Sequence, residues 1–107
     1  RDMTKEKLAE ISMMIIMHAG TAKSLLMEAI QNAEKGKYDK IEEYLKKADL
    51  EIIEANKKHF EAMELDQKGE LVTDVLFLRS EDQFLSTQIF ATTAKSLITL
   101  HRKIDKK

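Results

Sequence analysis

The sequence predicts an all-α fold, an antiparallel three-helix bundle with helices at about 4–34, 38–67 and 72–105. Three observations favour this fold class. Apolar residues recur at three- and four-residue spacing through three long segments, which is the spacing of one helix face. The chain has no proline and three glycines, so residues that punctuate strands are scarce. Two of those glycines, Gly36 and Gly69, divide the chain into segments of similar length.

The first segment is apolar over much of its circumference. One helical face contains Ile11, Ile15, His18, Ala22, Leu25 and Ala29, and the residues Met13, Met14, Ile16, Met17 and Leu26 widen it. A helix that is apolar around so much of its surface has to be packed on more than one side. Gly36 can adopt the left-handed conformation that ends such a helix.

The second segment is amphipathic. Its apolar face carries Tyr38, Ile41, Ala48, Ile52, Ala55 and His59, and its opposite face carries lysines and glutamates from Lys40 to Lys58. Opposite charges three or four residues apart stabilise an exposed helix face. We therefore expect a helix with one side in the core and one side in solvent.

The third segment follows Gly69, and Thr73 or Asp74 is its candidate N-cap. It has two apolar faces. One consists of Leu71, Val75, Leu78, Asp82, Leu85 and Ile89, and the other of Leu76, Phe84 or Gln83, Thr87, Ala91, Ala94 and Ile98. One face can pack within the chain, whereas the other needs a partner.

The composition limits the class of protein. A chain of 107 residues is enough for a single domain, 1–107. It has no cysteine, which excludes disulfides and cysteine-based zinc sites. With 18 basic and 19 acidic residues, it has no general attraction to nucleic acid. No apolar run approaches the roughly 18 residues of a membrane span. A cytoplasmic protein without membrane insertion is expected.

Asp82 interrupts the first apolar face of the third segment. That face continues at three- and four-residue steps from Leu71 to Thr99, which is typical of a coiled-coil seam. Carboxylates about 4 Å apart repel by about 4 kcal/mol per pair at an effective dielectric near 20, hence roughly 12 kcal/mol for three copies. A bound cation, protonation, or Arg79 three residues upstream can offset this repulsion. The alternative is that Asp82 is simply solvated, and the periodicity leaves both interpretations open.

Two stretches are distinctive, "IIMHAGTAKSLLMEAIQNAEKGKYDKIEEYLKKADLEIIEAN" and "VLFLRSEDQFLSTQIF", which are joined by a short break containing "KGE". In them the chain resembles the lactose/cellobiose-class enzyme IIA of the bacterial phosphoenolpyruvate-dependent sugar phosphotransferase system. The resemblance implies a cytoplasmic three-helix subunit that assembles as a nine-helix homotrimer. It implies two partners: the phosphocarrier protein HPr, which donates a phosphoryl group to a histidine in the third helix, and the sugar-specific IIB component, which receives it on a cysteine.

The family motif in the third helix is approximately H-x-Q-D-H-L-M, and the matching residues here are "RSEDQFL". The resemblance implies that Asp82 is an aspartate near the trimer axis that can bind a divalent metal such as magnesium. It puts Arg79 at the phosphoacceptor position and Gln83 at the second histidine. Arginine is no nitrogen nucleophile, because its guanidinium carries donors only. We therefore predict a degenerate binding or regulatory module in which Arg79 neutralises the aspartates.

Two alternatives stay open, an active phosphocarrier that uses another histidine, and a structural trimerisation domain of a larger or engineered protein. We interpret His18 as packed and hydrogen-bonded, His59 as semi-exposed, and His101 as interacting with the dipole at the end of the third helix. None is expected to have the carboxylate and donor that the motif provides. No serine triad, glycine-rich phosphate loop or pair of catalytic carboxylates is visible, so unaided enzymatic activity is not expected.

Overall fold

The computed structural model describes residues 3–107, apart from the side chain of Met3. Three helices make up the bundle: α1 (Met3–Glu34), α2 (Ile41–Gln67) and α3 (Val75–Asp105). Two short turns join them in a rod of 61 × 19 × 16 Å. The predicted all-α three-helix bundle is confirmed.

The starts of α2 and α3 differ from the predicted ones, at 41 rather than 38 and at 75 rather than 72. Residues 38–40 form a turn, in which the carbonyl of Tyr38 accepts a hydrogen bond from the N–H of Ile41 at 3.3 Å. Asp74 has an extended backbone, and its Oδ1 accepts a 2.8 Å hydrogen bond from the N–H of Phe77. Of the two candidate caps, the structure therefore assigns Asp74.

Both inter-helix turns depend on a glycine with positive φ, since Gly36 and Gly69 each have φ of 71°. The residue after each glycine donates its N–H back into the preceding helix, from Lys37 to Asn32 at 2.8 Å and from Glu70 to Leu65 at 2.9 Å. These bonds pair carbonyls that the helix ends would leave unsatisfied. The predicted breaks at both glycines are confirmed.

The central helix is α1, because it contacts both α2 and α3 while those two contact each other little. The prediction that it packs on more than one side is confirmed. By length and composition alone α1 just meets the criterion for a membrane-spanning helix, a criterion that core helices of soluble proteins also meet. Its largest buried side chains, Leu8, Ile11, Ile15 and Leu26, lie within the bundle. Burial between two helices accounts for part of this apolar character, since 33% of the most apolar stretch of α1 is buried.

Not all the methionines of α1 belong to the core. Met13 and Met17 are 56% and 50% exposed, and Met14 and Ile16 are half-buried. The expectation that these residues extend the buried face is therefore wrong for Met13 and Met17. Two neighbours cover two sides of α1, and no part of the described chain covers the third.

The core forms three clusters along the rod. In α2 the fully covered positions recur every seven residues at Ile41, Ala48, Ala55 and Ala62. Small alanine side chains let α2 approach α1 closely at three of these levels. The buried hydroxyls of Ser12, Ser80 and Thr87 donate to carbonyls of their own helices at 2.7–2.8 Å, so the core holds no unsatisfied side-chain donor among the described residues.

A polar network ties the end of α3 to the α1–α2 turn. The hydroxyl of Tyr38 donates a hydrogen bond to Asp105. The guanidinium of Arg102 lies 4.7 Å from the centre of the Tyr38 ring and donates to Glu42 at 3.1 Å. The hydrogen bond to Asp105 is the main reason why the pKa of Tyr38 is raised above its ordinary value.

We predict that Asp74→Ala lowers the free energy of unfolding by about 1 kcal/mol, because the first turn of α3 loses its cap. Urea denaturation followed by circular dichroism measures this change. Thr73→Ala is the matched control, since Thr73 is exposed and caps no helix. Equal losses in the two variants would contradict the assignment of Asp74 as the cap.

We predict that Asp105→Ala lowers the pKa of Tyr38, measured by ultraviolet titration in a Tyr44→Phe background that leaves one tyrosine. The protonated phenol is the form that donates the hydrogen bond, and the folded-state pKa is raised. The stability from this bond is therefore present at neutral pH and is lost as pH rises through the pKa of Tyr38. An unchanged titration curve would show that Asp105 does not hold the phenol.

Candidate functional site

The outward face of α3 carries an exposed apolar strip, here called the α3 strip, which consists of Val75, Leu78, Asp82, Leu85 and Ile89. Its four apolar members are 72%, 54%, 59% and 62% exposed in that order, and Asp82 between them is exposed as well. The buried residues lie on the opposite side of the helix, and they are Phe77, Ser80, Phe84, Thr87, Ala91, Ala94 and Ile98. The prediction of two faces on the third helix is confirmed.

Leu71 was predicted to begin the outward face, and this is wrong. It precedes α3 and packs, partly buried, against the core cluster that contains Phe77 and Phe84. The reason is that Asp74 starts the helix three residues later, so Leu71 does not follow the helical spacing of the strip.

Arg79 and Asp82 are both exposed on α3. Residues three apart are neighbours on a helix surface. Even so, the side chains form neither an ion pair nor a hydrogen bond, with each other or with any other residue from 3 to 107. Among residues 3–107 of a single chain, therefore, neither the carboxylate of Asp82 nor the guanidinium of Arg79 has an ion-pair partner.

The described residues of one chain contain no cluster of side chains of the kind that holds a metal ion. In the described part of the protein, no three His, Cys, Asp or Glu side chains are grouped so as to hold an ion. Asp82 supplies one carboxylate, which is an oxygen ligand of the kind that magnesium prefers. The donor chemistry fits the implied metal only if several copies bring their carboxylates together.

Gln83 lies one helical turn after Arg79 on the same flank of α3, and it faces α1. Its Oε1 accepts a 2.7 Å hydrogen bond from the Nζ of Lys23, a residue of α1. Lys23 has no carboxylate partner among the described residues.

The other flank of α3 meets α2 through a histidine. Glu81 lies within the motif segment, and its carboxylate contacts the Nδ1 of His59 at 2.7 Å. The imidazole stacks on Phe84, with ring centres 5.4 Å apart. These three residues line a cleft with Leu85 and Gln88. Such a carboxylate contact at Nδ1 orients the ring and fixes which nitrogen carries the proton.

His18 is also paired with a carboxylate, since its Nδ1 lies 2.6 Å from Oε2 of Glu51. It is mostly buried, as predicted for a packed and hydrogen-bonded residue. His59 is semi-exposed, as predicted. Each of these two histidines therefore has a carboxylate neighbour, and the expectation that none has both the carboxylate and the donor of the motif stays a prediction. His101 is half-buried in the basic last turns of α3, and its side chain forms no hydrogen bond or ion pair with any of residues 3–107.

Sequence reasoning missed Lys23 and Glu81 as members of the site. Glu81 could have been predicted from the sequence, because it lies between Arg79 and Asp82 in the motif segment. Lys23 could not have been predicted from the sequence, since its partner Gln83 is 60 residues away on another helix.

The comparison with protein families gives one match over residues 10–102, to the model described as PTS system, Lactose/Cellobiose specific IIA subunit. This match covers all of α2, most of α1 and almost all of α3.

Individual relatives span nearly the same length. The chain is 28% identical over 102 residues to a lactose-specific EIIA component of Streptococcus mutans, which covers 94% of this chain and 98% of the relative. It is 26% identical to an oligo-beta-mannoside-specific EIIA component of Bacillus subtilis, with 87% and 86% covered. The crystal structure of a cellobiose-specific enzyme IIA from Bacillus anthracis superposes with a TM-score of 0.88 at 29% identity, covering 92% of this chain and 91% of that one.

Proposed function

Because the chain belongs to the lactose/cellobiose-specific IIA family of the phosphotransferase system, we propose that it is a degenerate IIA component. In this proposal it binds the partners of the family without carrying a phosphoryl group. What supports it most is Arg79, which the resemblance of "RSEDQFL" to the family motif puts at the phosphoacceptor position. The relatives span several sugars in their names, so the sugar system stays unassigned.

The chemistry of Arg79 explains why transfer would stop at this position. A phosphoacceptor nitrogen needs a lone pair, and the guanidinium offers five N–H donors and no acceptor. Gln83, at the second histidine position, is an amide and no better a nucleophile. The position keeps hydrogen-bonding capacity and charge, and these are properties of a binding site.

The partners in this proposal are HPr and IIB-type proteins, met in the cytoplasm. Family membership implies both interactions. The bundle superposes on a cellobiose-specific enzyme IIA over 92% of this chain and 91% of that one, so in this proposal the surfaces around the motif still dock partners although the reactive group is absent.

We propose a homotrimer in which three copies of the α3 strip form the central contact. Four large apolar side chains in one line, all more than half exposed, leave a long face without cover in one chain. Their three- and four-residue spacing suits a coiled-coil seam. Nine helices would then surround one axis, and Asp82 of each copy would face that axis.

At such an axis three carboxylates need a counter-charge. Magnesium coordinated by carboxylate oxygens is one solution. Arg79, three residues from Asp82, is the other, and it belongs to the chain itself. We propose that Arg79 rotates toward the seam on assembly and takes over most of the neutralisation.

A second candidate function is an active phosphocarrier that uses His59. The observation in its favour is the contact of Nδ1 with Glu81, because it leaves Nε2 as the nitrogen with a lone pair when Nδ1 carries the proton.

A third alternative, a trimerisation domain without partners, predicts assembly but no binding of HPr.

We predict that the intact mass of the protein does not change after incubation with phosphoenolpyruvate, enzyme I and HPr. The double variant Arg79→His and Gln83→His is expected to gain the mass of one phosphoryl group, because it restores both motif histidines. Failure of the double variant would contradict the placement of Arg79 at the phosphoacceptor position. A mass gain in the parent that His59→Ala abolishes would establish the carrier function instead.

We predict a trimer in sedimentation velocity, and a monomer for Leu85→Glu, because three added carboxylates would meet in the seam. Leu50→Glu is the matched control, since Leu50 is about as exposed as Leu85 but lies on α2. A monomeric parent, or a trimeric Leu85→Glu variant, would rule out the α3 strip as the contact.

We predict that Arg79→Ala raises the affinity of the trimer for magnesium by about tenfold or more, because three carboxylates lose the nearby positive charge. Titration calorimetry with magnesium measures this change. Adding Asp82→Asn to that variant should abolish the binding. Equal magnesium affinity in the parent and in Arg79→Ala would show that Arg79 does not neutralise Asp82.

A further inference from the structure

We propose that neighbouring copies in the trimer make a second, lateral contact, in which Phe60 of one copy packs against Gly20 of the next. This inference rests on the proposed homotrimer and goes beyond the α3 strip, because it adds one surface of α1 and one surface of α2 to the assembly. It accounts for exposed apolar side chains that the α3 strip does not include.

Gly20 lies in the middle of α1, where a glycine is less favourable than an alanine. It is exposed, and its φ is not positive. Apart from its chain neighbours and the backbone of its own helix, a Cβ at this position would meet nothing within 4 Å in the described chain. No packing inside the chain therefore requires a glycine here, whereas the close approach of another copy does.

Gly20 belongs to an exposed line on α1, here called the α1 notch, which consists of Met17, Gly20, Ser24 and Met27. Steps of three, four and three residues keep these side chains on one face of the helix. Two small residues lie between two methionines, whose flexible side chains adapt to the shape of a partner. Lys23, which reaches α3, is a surface neighbour of Gly20 and Met27, so the notch is turned toward the α3 side of the bundle.

The matching surface on α2, here called the α2 ridge, consists of Ile53 and Phe60. Both are exposed, and Phe60 is 58% exposed. Steps of four and seven residues lead to them from Asp49, whose carboxylate accepts a 3.0 Å hydrogen bond from Lys95 of α3. The ridge is therefore also turned toward the α3 side of the bundle.

The other flank of α2 is charged. There Glu61 pairs with Lys58 at 2.9 Å and lies 3.9 Å from Lys7 of α1, and Glu43 pairs with Lys47 at 3.4 Å. The centre of a protein interface is depleted of charged residues. The α2 ridge has the composition of a contact surface, and this charged flank has that of a solvated one.

Two printed contacts to α3 fix the heights of α1 and α2 along the rod. Lys23 of α1 binds Gln83, and His59 of α2 contacts Glu81. Gln83 and Glu81 are two residues apart, which is about 3 Å along a helix. Lys23 and His59 therefore lie at nearly the same height.

The same comparison places Gly20 and Phe60 level with each other. Since α1 runs parallel to α3 and α2 runs antiparallel to it, the height falls from Lys23 to Gly20 and from His59 to Phe60. The first step is three residues and the second is one, so the remaining difference in height is less than one helical turn.

Cyclic assembly brings the two surfaces together. The helices of a seam run nearly parallel to its axis, so rotation about that axis leaves every height unchanged. In a ring each contact is heterologous, and the α1 flank of one copy faces the α2 flank of the next. Phe60 then meets Gly20. Ile53, seven residues before Phe60, meets Met27, seven residues after Gly20.

Cysteine cross-linking tests the contact directly, because the chain has no cysteine of its own. Gly20→Cys and Phe60→Cys are made as separate variants of the full chain, unfolded together, refolded and oxidised. We expect a disulfide that joins one chain of each kind, since this bond needs Cα atoms within about 7 Å. Each variant oxidised alone should stay unlinked, because a heterologous contact does not bring two copies of one residue together.

Leu50→Cys mixed with Gly20→Cys is the matched control for cross-linking. Leu50 is 55% exposed, much like Phe60, but it lies ten residues or about 15 Å away along α2. No disulfide is expected in this mixture.

Sedimentation equilibrium measures the contribution of the contact to assembly. Phe60→Ala should raise the concentration at which half of the trimer dissociates by about tenfold or more, because an aromatic anchor is removed. Gly20→Leu should raise it as well by filling the notch. It should leave the helix content in circular dichroism unchanged, since the space around Gly20 is open in a single chain. Leu50→Ala is expected to behave like the parent.

The outcomes separate this inference from the proposed function. A trimeric parent that forms no mixed disulfide, or that stays equally stable as Phe60→Ala and Gly20→Leu, would overturn the lateral contact and leave the α3 strip as the trimer contact. A disulfide between two Gly20→Cys chains would also overturn it, because the α1 notch would then face itself. A monomeric parent would overturn the proposed trimer, and the inference with it.

Discussion

The burial of α1 between α2 and α3 is the constraint on which the rest of the bundle depends. Since α2 and α3 contact each other little, each directs its apolar core face at α1. The side of α3 that faces away from α1 is then left to solvent, and in this sequence that side is apolar. The α3 strip is therefore a consequence of how the chain packs, and not of a poorly formed core.

The same arrangement divides α3 into two chemically different flanks. On the side of α3 that faces α2, long polar side chains bridge the gap between the helices. Each bridge pairs a carboxylate with a nitrogen-bearing side chain: Glu81 with His59, and Asp49 with Lys95. Toward α1 the packing is closer and the bridge is a lysine on an amide. Exposed ion pairs contribute little to stability. By contrast, Arg79 and Lys23 have no carboxylate partner within residues 3–107.

The relation of this chain to its family illustrates the separation of fold from chemistry. The bundle superposes on a cellobiose-specific enzyme IIA with a TM-score of 0.88, while the sequence identity is 29% and the exposed position 79 of α3 holds an arginine, whose guanidinium has no acceptor lone pair. Function resides in the site and not in the fold. A helix surface position tolerates such a change because Arg79 is exposed and no core contact depends on it.

The sequence by itself determined the number of helices, both glycine turns, the two faces of α3 and the presence of Arg79 in the motif. Each follows from local rules: apolar spacing gives the direction in which a side chain leaves its helix, and positive φ favours glycine. Only the tertiary structure decided the pairs Lys23–Gln83, His59–Glu81 and His18–Glu51, whose members are 60, 22 and 33 residues apart. Such pairs depend on the rotation and axial shift of one helix against another, which the summed packing of the whole core sets. The exposure of Met13 and Met17 was decided in the same way, because periodicity shows that a face is apolar and not whether a neighbour covers it.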